Sequence, residues 1–315
     1  MNIKKVFIYG ANGFIGSSLK KILKDKKLSL LNYKKNSKSI NYDKNYYIKF
    51  WKHIIKDCEV IVYAYFNNDL NELNKDPRLS LSRTLLPLYI LTEVIKDSKK
   101  KIKIIYLSSA SVYGSQKTLP VDEKRKTTTN NLYDYLKILS EQILLQSNIR
   151  NMNYFILRLS NVYGENLSKL SQKNRQIISK IIKNALIQKT INVYGHGKYF
   201  RDYVHVKDVC MAIYKAIISK GSTNQILNIG SGRKVKLIWI FELIRKIIKK
   251  EYGFNVKINK IRIKKQTLDN IRNYQSSIKK AKKILNWKPF IKLELGVTDL
   301  INFIYNKNLK KNLVK

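Results

Sequence analysis

The sequence predicts an α/β fold, a doubly wound parallel sheet followed by a smaller C-terminal α/β lobe. Three features carry this expectation. Short apolar runs alternate with longer amphipathic stretches through the first half of the chain, the pattern of strands and crossover helices in an open parallel sheet. The first run, Val6-Phe7-Ile8-Tyr9, is apolar throughout, as a strand covered on both faces must be, and it ends in a glycine-rich turn. After about Asn161 the regular alternation stops, which marks a second unit.

The elements follow in order. Phe14 to Lys26 has helical spacing, and Leu28 to Leu31 reads as a second short strand. Trp51 to Lys56 is helical, and Val60 to Tyr65 is a strand. Pro77 to Ser98 is a long helix in which Pro87 predicts a kink. Ile102 to Leu107 is a strand, Leu132 to Gln146 a helix, and Tyr154 to Leu159 a strand. In the second unit a basic helix from Lys173 to Gln188 leads to a short strand, Ile191 to Tyr194, and then to Gly195-His196-Gly197. Ile226 to Ile229 is a strand and Leu237 to Lys250 a helix. Two further helices, Ile278 to Leu285 and Leu293 to Tyr305, flank Trp287-Lys288-Pro289, and the basic tail from Asn306 to Lys315 frays. The expected division is 1–164 for the first unit and 165–315 for most of the second, with 200–220 packing back onto the first.

Composition narrows the function. With 315 residues, 44% of them apolar, the chain can bury a sizeable two-lobed core, which excludes disordered and collagen-like classes. Lys and Arg number 63 against 21 Asp and Glu, a formal net charge of +42. The lysines are spread along the whole chain, beside abundant Asn and Ile, so they read as residues tolerated at surface positions rather than a nucleic-acid site. No nucleic-acid partner is expected, although so positive a field draws in anionic small molecules. Cys58 and Cys210 are too few and too distant for a disulfide framework or a zinc site, and both fall in apolar stretches; no metal is expected. The chain opens Met1-Asn2-Ile3-Lys4-Lys5 and runs straight into the first strand, without a cleavable leader pattern. Its longest fully apolar run, Val60 to Phe66, is too short to span a membrane, and a cytoplasmic location is expected.

Three motifs bear chemistry. Gly10-Ala11-Asn12-Gly13-Phe14-Ile15-Gly16 joins the first strand to the first helix. Glycines at this spacing allow a tight turn, close approach of a pyrophosphate and close helix packing, and the helix N-terminus offers free N–H groups to phosphates. Tyr133 and Lys137 lie four apart on one helix and share a face. A tyrosine with its free pKa of about 10 is a poor base at neutral pH, and an ammonium one turn away stabilises its phenolate. Ser108-Ser109-Ala110-Ser111-Val112-Tyr113-Gly114 closes the strand before that helix, at the sheet edge where doubly wound folds place their chemistry. A hydroxyl there can donate to a substrate oxygen.

Together with Glu141, Arg158-Leu159-Ser160-Asn161-Val162-Tyr163-Gly164, Val193-Tyr194-Gly195-His196-Gly197, Arg201-Asp202-Tyr203-Val204-His205-Val206-Lys207-Asp208-Val209, Leu227-Asn228-Ile229-Gly230-Ser231-Gly232 and Leu285-Asn286-Trp287-Lys288-Pro289, these motifs occur in the order seen in one family. The chain resembles the extended short-chain dehydrogenases/reductases, specifically the nucleotide-sugar epimerase/dehydratase group, from Lys4 to about Ile304. The resemblance implies a Rossmann-type sheet, a bound NAD or NADP, a nucleotide-activated sugar as substrate, and a homodimer formed through the helices Pro77–Ser98 and Leu132–Gln146. Position by position, Ser109 matches the catalytic serine, Tyr133 the base, and Lys137 the lysine that also holds the nicotinamide ribose. Gly10, Asn12, Gly13, Phe14, Ile15 and Gly16 match the dinucleotide loop, and Ala64 the small residue beside the cofactor. Asn32, Asn41 and Tyr42 fall where the adenosine half is held. Asn161 and Arg201 match residues that hold the substrate diphosphate, for which a guanidinium fork is well suited. His205 matches a structural position, His196 a loop residue, and His53 has no motif around it.

The departures from the family pattern are informative. After the second strand stands Asn32-Tyr33-Lys34-Lys35, where NAD-using members often carry an acidic residue for the ribose hydroxyls. The connection to Asn41 is short, so a helix usual in larger members is missing. Tyr65 is bulky where a second small residue is common, and the arginine and aspartate that often grip the nucleotide are replaced around Gln266 to Asn270. Dehydratases of the group carry an Asp-Glu pair directly after the catalytic serine or threonine. Here those positions are Ala110 and Ser111, neither of which transfers a proton near neutral pH. The expected activity is therefore C4 epimerisation of a nucleotide sugar, with an NADPH-dependent 4-keto-sugar reductase as the alternative. A non-catalytic cofactor sensor has no need of Ser109, Tyr133 and Lys137.

Overall fold

The computed structural model describes residues 5–31, 43–66, 70–129, 131–168, 176–194, 197, 199–221, 223–261 and 273–308. Five parallel strands form the central sheet: β1 (Val6–Tyr9), β2 (Val60–Tyr63), β3 (Ile102–Ser109), β4 (Met152–Leu159) and β9 (Gln225–Ile229), adjacent in that order. The register pairs Val6 with Val60, Ile104 with Ile61 and Tyr154, and Leu159 with Ile229. The four residues of β2 are all buried, as the unbroken apolar run requires. The expected strand Leu28–Leu31 is reduced to a single parallel bridge between Leu30 and Val6. That bridge lies on the opposite side of β1 from β2. The chain thus leaves β1 in both directions, and β1 is the topological switch point at which such sheets bind ligands.

Helices cover both faces. On one lie α1 (Phe14–Asp25), α7 (Val206–Ile218) and α9 (Lys279–Leu285), whose Leu19, Leu23, Val209, Ile213 and Ala281 share a core with Val6, Val62 and Leu157. On the other lie α2 (Lys44–Asp57), α4 (Pro77–Lys96) and α5 (Leu132–Gln146), packing on Phe7, Ile61, Ile104 and Ile156. The helix α2 begins seven residues before the expected start, because Asp43 caps it by accepting from the Asn45 amide at 2.9 Å. Pro87 lies inside α4 without ending it, and its carbonyl accepts from the fully buried indole of Trp51 at 2.8 Å. A short helix, α3 (Leu70–Lys75), precedes α4 and was not signalled by periodicity. The helices expected to mediate dimerisation, α4 and α5, pack against each other.

The second lobe has its own core of Ile178, Ile182, Ile191, Ile240, Phe241, Ile244, Val297 and Ile301. It is built from α6 (Ile177–Gln188), α8 (Leu237–Tyr252), α10 (Leu293–Asn308) and the parallel pair β6 (Thr190–Tyr194) and β11 (Lys257–Ile261). Two small pairs bridge the lobes: β5 (Asn161–Tyr163) with β8 (Tyr203–His205), and β7 (Phe200–Arg201) with β10 (Val235–Lys236). A cut at residue 164 therefore does not separate the lobes, since α7, β9 and α9 all return to the large sheet.

Candidate active site

The glycine turn sits at the C-terminal edge of the sheet. Gly10 has φ +98, a conformation that side chains disfavour, and a Cβ on it would lie 2.7 Å from the amide nitrogen of Tyr65. The turn after β1 is thus pressed against the segment after β2, where the Ala64 amide donates to the Tyr9 carbonyl at 2.8 Å. A Cβ on Gly16 would overlap the Gly10 carbonyl oxygen, so only glycine lets α1 approach this closely. The Gly13 amide donates to the Gly10 carbonyl at 3.0 Å, and Gly13 then starts α1 with no side-chain cap. The first-turn amides, Phe14 and Ile15 among them, have no partner inside the helix and face an anion-binding position. The Asn12 carbonyl accepts from the Ser168 hydroxyl, which ties the turn to the chain after β5. Such a cradle fits a dinucleotide pyrophosphate: its backbone approaches closely and its first-turn amides carry no side-chain cap.

Ser109, Tyr133 and Lys137 converge at the end of β3. Ser109 is the last residue of that strand, and its hydroxyl caps a single 3₁₀ turn, Ala110–Tyr113. It accepts from the Ser111 amide at 3.2 Å and lies 2.9 Å from the Ser111 hydroxyl. Asn131 caps α5, accepting from the Asp134 amide at 3.0 Å, and so fixes the first turn that carries Tyr133. Tyr133 is half-buried. Burial pushes its phenol up to about 12, against the opposing pull of the Ser109 hydrogen bond. Lys137 is buried at 4% exposure and donates to the Leu107 carbonyl at 2.6 Å. Burial pulls its ammonium down to about 7, with Glu141 acting in the opposite direction. Burial thus opposes the charged form of both groups, and a positive charge bound beside Tyr133 would favour its phenolate.

Beneath these residues lies a buried polar layer. Glu141 receives Arg158 through Nε at 3.0 Å and Nη2 at 2.6 Å, and also the Ser108 hydroxyl at 2.5 Å. The guanidinium stacks over Tyr113 at 4.8 Å, and the Tyr113 hydroxyl donates to Asn228 at 2.7 Å. One network thus connects β3, α5, β4 and β9 under the site. Removing either ion of the Glu141–Arg158 pair would strand the other in the core, at a cost of roughly 3–5 kcal/mol.

Asn161 and Arg201 come together on the bridging pairs. The Asn161 side chain donates to the Asp202 carbonyl at 3.1 Å, and the half-buried Arg201 donates to the Phe200 carbonyl at 3.1 Å. Between them, the fully buried Asp202 carboxylate accepts from the amides of Ser231, Gly232 and Ser276 and from the Ser231 hydroxyl. His205 caps α7 through Nδ1, and His53 is exposed on α2. Asn32, Asn41, Tyr42, His196 and the stretch Gln266 to Asn270 lie outside the described residues.

Sequence reasoning passed over two neighbours of the site. Ser111 was weighed only as a missing acid, yet its hydroxyl partners Ser109. The Phe66 ring faces Lys137 and makes a T-shaped contact with Tyr133, and nothing in its local sequence signals this.

Comparison with known proteins agrees with this geometry. The profile of the NAD dependent epimerase/dehydratase family matches residues 6–230. The Methanocaldococcus jannaschii protein named "Putative UDP-glucose 4-epimerase" is 30% identical over 255 residues, covering 80% of this chain and 79% of its own. UDP-glucose 4-epimerase from Thermotoga maritima, solved with UDP-glucose, superposes with a TM-score of 0.81 at 22% identity, over 96% of this chain and 99% of that one. RMD from Pseudomonas aeruginosa, solved with NADPH, does so at 0.79 and 21%, over 95% and 98%. At such identities the solved structures establish the doubly wound fold. The profile spans both the glycine turn and the Ser109–Tyr133–Lys137 cluster, and so the chain belongs to the NAD-dependent epimerase/dehydratase family.

Proposed function

We propose that the protein is a nucleotide-sugar C4 epimerase. The observation that carries this reading is Lys137 of α5 donating to the Leu107 carbonyl of β3 at 2.6 Å, two residues before Ser109, with Tyr133 one turn earlier on the same helix. In this reading Gly10, Asn12, Gly13, Phe14, Ile15 and Gly16 hold the cofactor pyrophosphate, Ala64 lies beside the cofactor, and Asn32, Asn41 and Tyr42 serve its adenosine half. A nicotinamide held there would supply reversible hydride transfer, and its oxidised form would add positive charge beside Tyr133. Tyr133 removes the proton from the C4 hydroxyl, Ser109 holds that oxygen, and Lys137 stabilises the phenolate and holds the ribose. After the keto-sugar turns over, Tyr133 returns the proton. Asn161 and Arg201 hold the diphosphate and leave the sugar free to rotate.

The absence of carboxylates beside Ser109 favours epimerisation over dehydration. Ala110 has no proton to give, and Ser111 is engaged with Ser109. A second reading, an NADPH-dependent 4-keto-sugar reductase, draws support from Lys34 and Lys35, which stand where an acidic residue would repel a 2′-phosphate.

The two readings differ in how the cofactor is kept. An epimerase retains NAD through both hydride transfers, whereas a reductase releases the oxidised cofactor on every cycle. Denaturing the purified protein should release NAD, and the native protein should invert C4 of UDP-hexoses with none added. A protein that releases nothing, inverts nothing and oxidises NADPH with a 4-keto nucleotide sugar would replace the epimerase by the reductase. Loss of water from a dTDP- or GDP-hexose would overturn the exclusion of dehydration.

A further inference from the structure

We infer that Phe66 is a positioning residue for the acid–base pair: its ring face holds Lys137 as an ammonium while its T-shaped contact fixes the Tyr133 ring. The inference rests on the reading above, in which these two residues act together, and adds a member to that site from outside its motifs.

Lys137 Nζ lies 3.8 Å from the centroid of the Phe66 ring and 5.1 Å from that of Tyr106. The same Phe66 ring meets Tyr133 edge-to-face, with centroids 5.1 Å apart and planes at 79°. An ammonium so deeply buried needs compensation for its lost water. Among the charged and titratable groups around it, Glu141 favours the ammonium. Glu141, one turn along α5, is committed to Arg158 of β4 and to Ser108. Tyr106 on β3 and Tyr133 on α5 are neutral phenols, both pushed above their ordinary range by burial, and Asp134 acts on Tyr133. The direct polar partner is the Leu107 carbonyl. What remains is the aromatic face of Phe66, close enough and desolvated enough for a strong cation–π contact. Phe66 also lines a cavity of about 530 Å³ together with Glu72, Ser80, Arg83 and Thr84.

The test compares the wild type with Phe66→Leu, which keeps an apolar wall but has no π face, and with Phe66→Tyr, which keeps the face. The first measurement needs no substrate: the rate at which an acylating reagent modifies Lys137 is followed against pH by peptide mass spectrometry on the folded protein. Only the neutral amine reacts, so the midpoint of that profile reports the lysine. Phe66→Leu should move the midpoint down by about one pH unit, a tenfold loss of the ammonium, and Phe66→Tyr should leave it in place. The second measurement is the pH profile of kcat/KM for C4 inversion, whose alkaline limb should move down in Phe66→Leu and recover in Phe66→Tyr. An unmoved or raised midpoint in a folded Phe66→Leu protein would overturn the inference; if that variant does not fold, Phe66→Met is read in the same way. A moved midpoint in a protein that inverts no sugar would sustain Phe66 as the holder of the ammonium and sink the epimerase reading instead.

Discussion

At the scale of single residues, the site separates groups that do chemistry from groups that make room for it. In the proposed reaction Tyr133 belongs to the first kind. Tyr133→Phe removes one oxygen and leaves the ring against Phe66, so its effect on packing is small. Turnover should fall by roughly 10²–10⁴-fold, the worth of a positioned acid–base group, while cofactor affinity hardly changes. Steady-state rates beside a cofactor titration check this, and near-normal turnover would remove Tyr133 from the mechanism. Glycines 10 and 16 belong to the second kind, because a Cβ on either would meet backbone rather than a movable side chain. Their spacing was readable in the sequence because a close backbone approach admits only one residue type. Phe66 was not, because a cation–π contact leaves no periodic trace; it depends on where a loop after β2 happens to meet α5.

At the scale of elements, caps and strands matched the sequence where local chemistry decided them and departed where tertiary contacts did. The buried runs of β1, β2 and β3 were legible because a strand covered on both faces has few polar options. Leu28–Leu31 contracted to a bridge at Leu30, since an edge segment has one neighbour to hold it. The helix α7 shows how a cap couples an element to pH. His205 accepts the Lys207 amide at 3.2 Å through Nδ1, which requires that nitrogen to be unprotonated, so the imidazole carries its proton on Nε2. Burial and the Lys207 charge pull its pKa down from 6.5 to about 4. Between those values the unfolded chain binds a proton that the folded protein refuses, so this contribution to stability is complete above about pH 6.5 and is lost as pH falls toward 4. The difference amounts to about 3 kcal/mol. Denaturant titrations across that window should show a shallower pH dependence for His205→Asn, whose amide oxygen can still cap the helix. An identical slope in both proteins would mean that His205 does not titrate with folding.

At the scale of the whole molecule, the alternation of strands and helices marked the sheet, while the division into lobes was hidden. The chain crosses between lobes several times; the return of 200–220, which contains α7, is expected from the sequence, while that of β9 and α9 to the large sheet is not. The net charge of +42 also acts at this scale, and in two opposite ways. It destabilises the compact state through self-repulsion, and it attracts anionic ligands, the proposed nucleotide sugar among them. Which of these salt can reach depends on length. A chain of this size has a radius of gyration of about 20 Å. At about 0.01 M salt the screening length is about 30 Å and every charge acts on the whole molecule; at 0.15 M it is about 8 Å and only neighbours matter. Raising sodium chloride from about 10 to 200 mM should therefore raise the melting temperature while lowering kcat/KM for the nucleotide sugar, with kcat nearly constant because the bound state is already formed. Thermal melts and steady-state rates on the same salt series measure both. Curves that stay flat together would mean that the excess lysines are locally neutralised. Binding to DNA that persists at 200 mM salt would mean instead that they form a working surface, against their reading as residues the fold merely tolerates.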